Sequence, residues 1–498
     1  DRLSEIFSEN GITANFTATP QGDRAVVWLG VNGSGEAADA TTTELGLLRG
    51  VFSNAKFDRH IVALRESGGN ARVVVLGENT DAVFCGLASL EQMLDAAGTE
   101  NMPCVTIYDY ADIRERGVVE GYYGVPYSCD VTKDLFRFMA RYKLNRFHWH
   151  LTDDHGWRVE IKKYPLLTEV GAWRNGTMVG WDFNSNDGIR YGGYYTQEEL
   201  RDVVAYAKER GIEIIPEIDL PAHMVSALTA YPYLGCTGGP YSLMTVWDIA
   251  KDVLCAGKES SFTFLKDVFK EICDIFPYEY IHIGGDECPK DRWKECPACQ
   301  AKIRELGLQD TGTASAEQYL QNYVTARVQE ILSKHGKKVI GWDEILEGNL
   351  APGATIMSWR GTEGGIKAAA NGFDVIMTPC EYCYLDYCQG PDPKKEPISI
   401  GHYLPLEKVY GYDPASGMNA ESSSRVLGLQ GNLWTEFIGE EWHLEYMLLP
   451  RLLAISECGW TLPENKDYTR FREDVVNCHF QWMTANGYNY SRTILESD

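Results

Sequence analysis

From Arg116 onward, apolar runs of strand length recur along the chain and end in polar or aromatic residues, most of them separated by enough chain for a crossover helix. The runs are Gly117 to Glu120, Arg146 to His150, Ile212 to Glu217, Tyr280 to Gly284, Lys338 to Trp342, Thr355 to Trp359, Asp374 to Thr378 and Val426 to Leu433. Eight is the number that closes a (β/α)8 TIM barrel. Amphipathic helices fit between them, most clearly over Gln197 to Glu209, Phe262 to Phe276 and Ala316 to His335, where apolar residues return at three- and four-residue intervals. The competing architecture, an open doubly wound sheet, would carry this many strands without a glycine-rich phosphate turn. Gly284 and Gly285 are wrongly spaced for a dinucleotide or phosphate loop, and they precede an acidic pair that repels phosphate.

A chain of 498 residues, 44% hydrophobic, exceeds the usual single-domain size. Residues 1–112 mix short β-like runs (Ala25 to Leu29, Ala71 to Leu76) with a helical stretch from Thr41 to Phe52, and read as a small α/β domain. Residues 113–498 are expected to form the barrel and a C-terminal helical extension. The fold class is therefore α/β, a catalytic-type (β/α)8 barrel preceded by a small α/β domain. Apolar runs are too short and too interrupted for a transmembrane segment. Lys and Arg total 46 against 71 Asp and Glu, a net charge of -25 that disfavours nucleic acid as a partner and leaves neutral ligands open. The chain opens on Asp1 rather than Met, which leads to the expectation of a removed leader and an exported, periplasmic or extracellular location.

Active sites of such barrels lie at the C-terminal ends of the strands, and this chain places a consistent set of residues there. The second run leads into His148, Trp149, His150, Asp153 and Asp154, and the third into Glu217, Asp219 and His223. The fourth leads into His282, Asp286 and Glu287, the fifth into Trp342, Asp343 and Glu344. Later runs add Trp359 and Arg360, Tyr384 and Asp386, then Trp434 and Glu436. Taken singly, such tryptophans are core residues and such acids are solvated. As a set, each following its own strand, they form an aromatic, acidic cup. Indole faces pack on the C–H face of a sugar ring while carboxylates and phenols bond its hydroxyls.

Most glycoside hydrolases flank the glycosidic carbon with two opposed carboxyl groups. Asp286 and Glu287 are sequence neighbours, awkwardly placed for that task. Another division of labour exists for a 2-acetamido sugar. Its own carbonyl oxygen attacks the anomeric carbon to give an oxazoline-like intermediate, one carboxyl protonates the leaving oxygen, and its neighbour orients the acetamido N–H.

His282-Ile283-Gly284-Gly285-Asp286-Glu287 resembles the signature of the family 20 β-N-acetylhexosaminidases. Supporting segments are FHWHLTDDHGWRVEIKKYPLLTEVGAWR from Phe147, PEIDLPAH from Pro216, GWDE from Gly341, SWRG from Ser358, YLDYCQG from Tyr384 and GNLWTE from Gly431. The resemblance spans about Arg116 to Trp460. It implies retaining, substrate-assisted removal of terminal β-linked 2-acetamido sugars, with Glu287 as acid then base and Asp286 holding the acetamido group. It further implies that Tyr384 donates to the acetamido oxygen, that Trp342, Trp359 and Trp434 wall the subsite, and that Asp386 and Glu436 meet the outer hydroxyls. Asp153 and His223 would stand behind Glu287. His282 is as readily a structural histidine and is left out of the catalytic set.

One departure stands out. Family members commonly carry an arginine shortly after the first strand, whereas this chain reads Arg116-Gly117-Val118-Val119-Glu120-Gly121-Tyr122-Tyr123-Gly124. That stretch resembles the opening motif of the family 84 enzymes, which act on related sugars with an adjacent pair of aspartates. Glu120 and Tyr123 are the candidates to fill the arginine's place at the outer hydroxyls.

Two other classes compete with a hydrolase. A carbohydrate-binding protein would keep the cup but would need none of Asp286, Glu287 and Tyr384 in particular. A metal-dependent deacetylase would use the His and Asp residues as ligands. The 14 cysteines do not resemble a small disulfide framework. Cys288, Cys296 and Cys299 in CPKDRWKECPAC have short metal-ligand spacing, but a matching second pair is missing nearby. No cofactor and no metal ligands are assigned.

Overall fold

A computed structural model describes residues 2–16, 25–35, 37–53, 56–67, 69–98, 101–121, 126–350 and 352–495. The N-terminal part builds a four-stranded sheet from β1 (Val26–Val31), β2 (Phe57–Ser67), β3 (Asn70–Gly77) and β4 (Thr106–Ala111), in the order β1-β3-β2-β4. Its β1 runs parallel to β3, and β2 runs antiparallel to both β3 and β4. The amphipathic helix α1 (Thr80–Ala97), capped by the Asn79 side chain on the Ala82 amide, lays Leu87, Leu90 and Leu94 on Val62, Val73 and Val75. The helix expected over Thr41 to Phe52 is instead a shorter one, Ala37–Glu44, followed by a 3-10 turn, Gly50–Ser53. Gly46 sits at φ +65°, a left-handed stop that the apolar spacing of the segment did not reveal.

The second unit is a closed parallel barrel of β5 (Glu115–Gly121), β6 (Arg146–His150), β7 (Glu213–Glu217), β8 (Tyr280–His282), β9 (Lys338–Trp342), β10 (Thr355–Ser358), β11 (Val375–Met377) and β12 (Val426–Trp434), with β12 pairing back onto β5. Every expected strand is present. The fourth ends earlier than expected because Gly284 and Gly285, at φ +66° and +101°, turn the chain out of the sheet.

The crossover helices include α2 (Cys129–Arg141), α3 (Gln197–Lys208), α4 (Glu259–Ile275), α5 (Ala316–Ser333) and, after β12, α6 (Arg451–Trp460). Thr196 with Glu199 and Ser315 with Gln318 form capping boxes that start α3 and α5 where the periodicity predicts. Alternate strand residues separate two apolar layers. Ile215, Tyr280, Ile340, Trp342, Met357 and Ile376 fill the barrel interior, while Val118, Phe147, Trp149 and Ile281 face the helices.

Arg116, fully buried where the sheet meets the barrel, spends its guanidinium on the carbonyls of Ile113 (2.7 Å) and Lys143 (2.8 Å) and on Asp58 (2.7 Å). The start of the first-strand motif is thus structural. No helix among the described residues is long and apolar enough to cross a membrane.

Candidate active site

The HIGGDE turn has a steric explanation. A Cβ on Gly284 would lie 1.7 Å from Asp219 Oδ1, and one on Gly285 would lie 2.4 Å from Ile345 Cγ2. The glycines let the chain pass between those side chains and present Asp286 and Glu287 at the barrel mouth. Glu287 itself takes a left-handed φ of +48° and His223 one of +55°, conformations that cost a non-glycine residue free energy and concentrate at functional positions.

His223 stands between two acidic pairs. Its Nε2 is 3.5 Å from Glu287 Oε2 and 3.6 Å from Asp286 Oδ2, and its Nδ1 is 3.5 Å from Asp154 Oδ2 and 3.6 Å from Asp153 Oδ2. Beneath them lies a second network. His150 Nδ1 donates to Glu217 (2.5 Å) and its Nε2 to Asp153 (3.1 Å). Burial alone would depress this imidazole, but Glu217 and Asp153 outweigh it and hold it cationic, up to about 10. His148 is the neutral member: burial lowers it to about 4, its Nε2 donates to Glu217 (3.0 Å), and its Nδ1 accepts from Gln430 (3.2 Å). Trp342 Nε1 donates to the other Glu217 oxygen (2.9 Å), and His282 Nδ1 lies 2.9 Å from it. Against their burial, Glu217 and Asp153 are both held well below the usual carboxylate range, Glu217 by His282, His150 and His148, Asp153 by His223, His150 and His155.

The pocket wall behaves in the opposite way. Asp386 is 2% exposed, and neither of its oxygens accepts a hydrogen bond from another described residue. Burial, then the charge of Glu436, push it well above the ordinary range. Glu436 rises to about 7 through burial, and Asp286 to about 7 through burial and the Glu287 charge. Asp219, behind Asp286, rises well above the usual value from burial and the Asp286 charge. Tyr384, driven up by burial and by Asp386, stays a phenol donor. Its ring stacks with Trp359 (6.2 Å, 23°), while Trp342 and Trp434 meet at 5.8 Å, with Trp434 also against His150 at 5.2 Å. Trp359 Nε1 is held by Glu344 (3.0 Å).

Glu120 departs from its expected place. It shares a strand face with Val118 and pairs in register with Trp149, both in the layer against the helices. The residue facing the cup from this strand is Gly121, where a Cβ would strike Trp434 at 2.1 Å. The two-residue period of the strand therefore carries Glu120 toward the helix layer, not toward the cup. Tyr123 lies outside the described residues.

The cup opens through a cavity of about 170 Å³ bordered by His223, Trp247, Asp248, Glu287, Glu436 and Phe437. Trp247 and Asp248 come from the long loop after β7, which no strand-end rule singles out. His155 positions them: it lies 3.3 Å from Asp153, bonds the Val246 carbonyl (2.7 Å) and packs on Trp247 at 4.7 Å. A larger cavity of about 530 Å³ lies near Gly390 and Tyr490 and contains none of the strand-end residues.

A parallel barrel whose mouth gathers tryptophans, buried carboxylates and an adjacent Asp-Glu pair defines a carbohydrate-site class of protein. Residues 126–463 match the model of glycosyl hydrolase family 20, catalytic domain, and the chain belongs to that family. A beta-hexosaminidase of Porphyromonas gingivalis is 44% identical over 428 residues, 84% of this chain and 53% of its own length. One of Vibrio furnissii is 35% identical over 75% of this chain and 61% of its own length, so the chain spans little more than half of these two relatives. A third, of Akkermansia muciniphila, is 33% identical over 82% of this chain and 81% of its own length. Among solved structures, the Vibrio harveyi GH20 exo beta-N-acetylglucosaminidase in complex with N-acetylglucosamine superposes with a TM-score of 0.77 at 32% identity, over 95% of this chain and 76% of that one.

Proposed function

We propose that this protein is a retaining, exo-acting β-N-acetylhexosaminidase that hydrolyses terminal 2-acetamido-2-deoxy-β-hexosides by substrate assistance. The observation carrying this reading is the pair of adjacent carboxylates, Asp286 and Glu287, both within 3.6 Å of one imidazole nitrogen and both on one side of an aromatic pocket. Neighbours on one turn do not straddle an anomeric carbon, so the nucleophile comes from the substrate's acetamido oxygen. Glu287, 30% exposed at the cavity, donates a proton to the leaving oxygen and then takes one from water. Asp286 accepts the acetamido N–H and stabilises the positive charge of the oxazolinium ring, while Tyr384 donates to the acetamido oxygen. Trp342, Trp359 and Trp434 enclose the ring, and Asp386 and Glu436 accept from its outer hydroxyls. Asp153 and His223 hold Glu287 and steer its proton exchange.

Glu287→Gln tests the assignment, because an amide is not a general acid. The expected loss is about 10²- to 10⁴-fold on glycosides with a poor leaving group and much less on an activated aryl glycoside. Near-wild-type rates on both substrates would refute the role.

A further inference from the structure

Four cysteines meet away from the cup. Cys236 and Cys255 lie in the loop between β7 and α4, and Cys296 and Cys299 lie at the start of the helix Pro297–Leu306 that follows β8. Their sulfurs all fall within 4.8 Å of one another, with Cys255 Sγ 3.7 Å from Cys296 Sγ and 3.6 Å from Cys299 Sγ, and Cys236 Sγ 3.9 Å from Cys299 Sγ. None is in a disulfide, and three of the four are buried. A tetrahedral ion with metal–sulfur bonds of about 2.3 Å has sulfur–sulfur edges of about 3.8 Å, close to the spacing of the three pairs just given. A disulfide needs about 2.05 Å. The second knuckle that the local sequence lacks is therefore supplied from 41 residues or more upstream, the separation of Cys255 from Cys296.

The backbone around the sulfurs is built to hold them. A Cβ on Gly257 would lie 2.2 Å from the Ala298 carbonyl carbon and 2.4 Å from the Cys299 nitrogen, so glycine alone lets the two loops close on each other. The Gly257 amide donates to Cys255, the Cys255 amide donates to the Leu234 carbonyl (2.9 Å), and Trp293 Nε1 donates to the Leu254 carbonyl (2.9 Å). Lys258 Nζ ties down the loop just before Cys236 by donating to the carbonyls of Tyr233 (3.0 Å) and Gly235 (2.7 Å).

We propose that Cys236, Cys255, Cys296 and Cys299 bind one structural zinc ion as a closed tetrathiolate site. Four soft sulfur donors select a borderline-soft divalent ion, and a site filled by four protein thiolates is of the structural kind. The staple ties the loop that carries His223, Trp247 and Asp248 to the segment that follows Glu287, and so fixes the acid side of the pocket from outside. This proposal does not depend on which reaction the pocket performs.

The test is the metal content of the whole chain, purified without chelators. Elemental analysis is expected to give about one zinc per chain, and titration with a mercurial thiol reagent is expected to release that zinc as four thiols are consumed. Cys236→Ser, at the half-buried position, and Cys255→Ser are each expected to lose the zinc and lower the melting temperature, whereas Cys104→Ser, at an exposed cysteine outside the cluster, retains it. Zinc well below one equivalent in the wild-type protein that added zinc does not restore, iron in place of zinc, or full zinc in Cys236→Ser and Cys255→Ser would overturn the proposal. The wild-type stoichiometry decides the matter even if a variant fails to fold.

Discussion

The floor and the wall of the pocket both hold buried carboxylates, and the protein treats them oppositely. On the floor, Glu217 and Asp153 are surrounded by the imidazoles of His148, His150, His155, His223 and His282 and are held well below the usual range. On the wall, Asp386, Glu436 and Asp286 are pushed upward by burial, and the oxygens of Asp386 find no donor among the described residues. A charge neutralised by its own protein is scaffolding. A carboxylate left short of donors awaits a ligand that brings its own hydroxyl or N–H groups. The floor thus contributes stability and the wall forgoes some of it for binding, as functional sites commonly do.

Breaking the floor carries the largest expected effect. Glu217→Ala removes the acceptor of two imidazole donors and the Trp342 indole, and leaves the buried His150 cation with one of its two carboxylate partners, Asp153. The expected cost is about 3 to 5 kcal/mol, measured by denaturant melts. In the wild type, the stabilisation from Glu217 and Asp153 is present above the unfolded carboxylate pKa of about 4 and lost as pH falls through their lowered native values. A variant as stable as wild type at pH 7 would show that the floor is not a charge scaffold.

The next effect lies on the wall. Burial pushes Asp286 up to about 7, so under the proposed mechanism a fall in pH below that value protonates it and removes its stabilisation of positive charge on the substrate. The acid limb of kcat/KM is expected near that value, above the ordinary carboxylate range. Asp286→Asn is expected to lower kcat/KM by about 10²- to 10³-fold and to remove the limb. An unchanged limb in the variant would assign it to another group.

The smallest effect sharpens the contrast. Asp386 and Glu436 have raised values, so their contribution favours the fold below the unfolded pKa of about 4 and is lost as pH rises through the native value, about 7 for Glu436. Neutralising Asp386 as Asn is therefore expected to raise the melting temperature at pH 8 by about 1 to 2 °C while weakening N-acetylglucosamine binding. A lower melting temperature with unchanged binding would place Asp386 on the structural side.

Much of this was legible in the chain. The barrel strands stood out because each apolar run ends in a polar or aromatic group at the mouth, and the strand ends carried Asp286, Glu287, Tyr384, Asp386, Trp434 and Glu436 to one cup. What sequence did not show depends on long-range closure. His155 and Trp247 meet across a loop of irregular backbone, and Cys236 and Cys255 join Cys296 and Cys299 only when two loops pack at Gly257. The outward turn of Glu120 is a matter of strand parity: the Gly-Val-Val-Glu-Gly run is apolar or small on both faces, so its pattern does not say which side holds the carboxylate.

The central claim is that the nucleophile belongs to the substrate. The most direct measurement is kcat/KM for aryl 2-acetamido-2-deoxy-β-glucosides whose acetyl group carries no, one, two or three fluorines. Each fluorine withdraws electrons from the attacking carbonyl oxygen without altering the leaving group. The account predicts a steep fall in rate along the series. A flat series, with a sugar trapped covalently on an enzyme carboxylate, would contradict it.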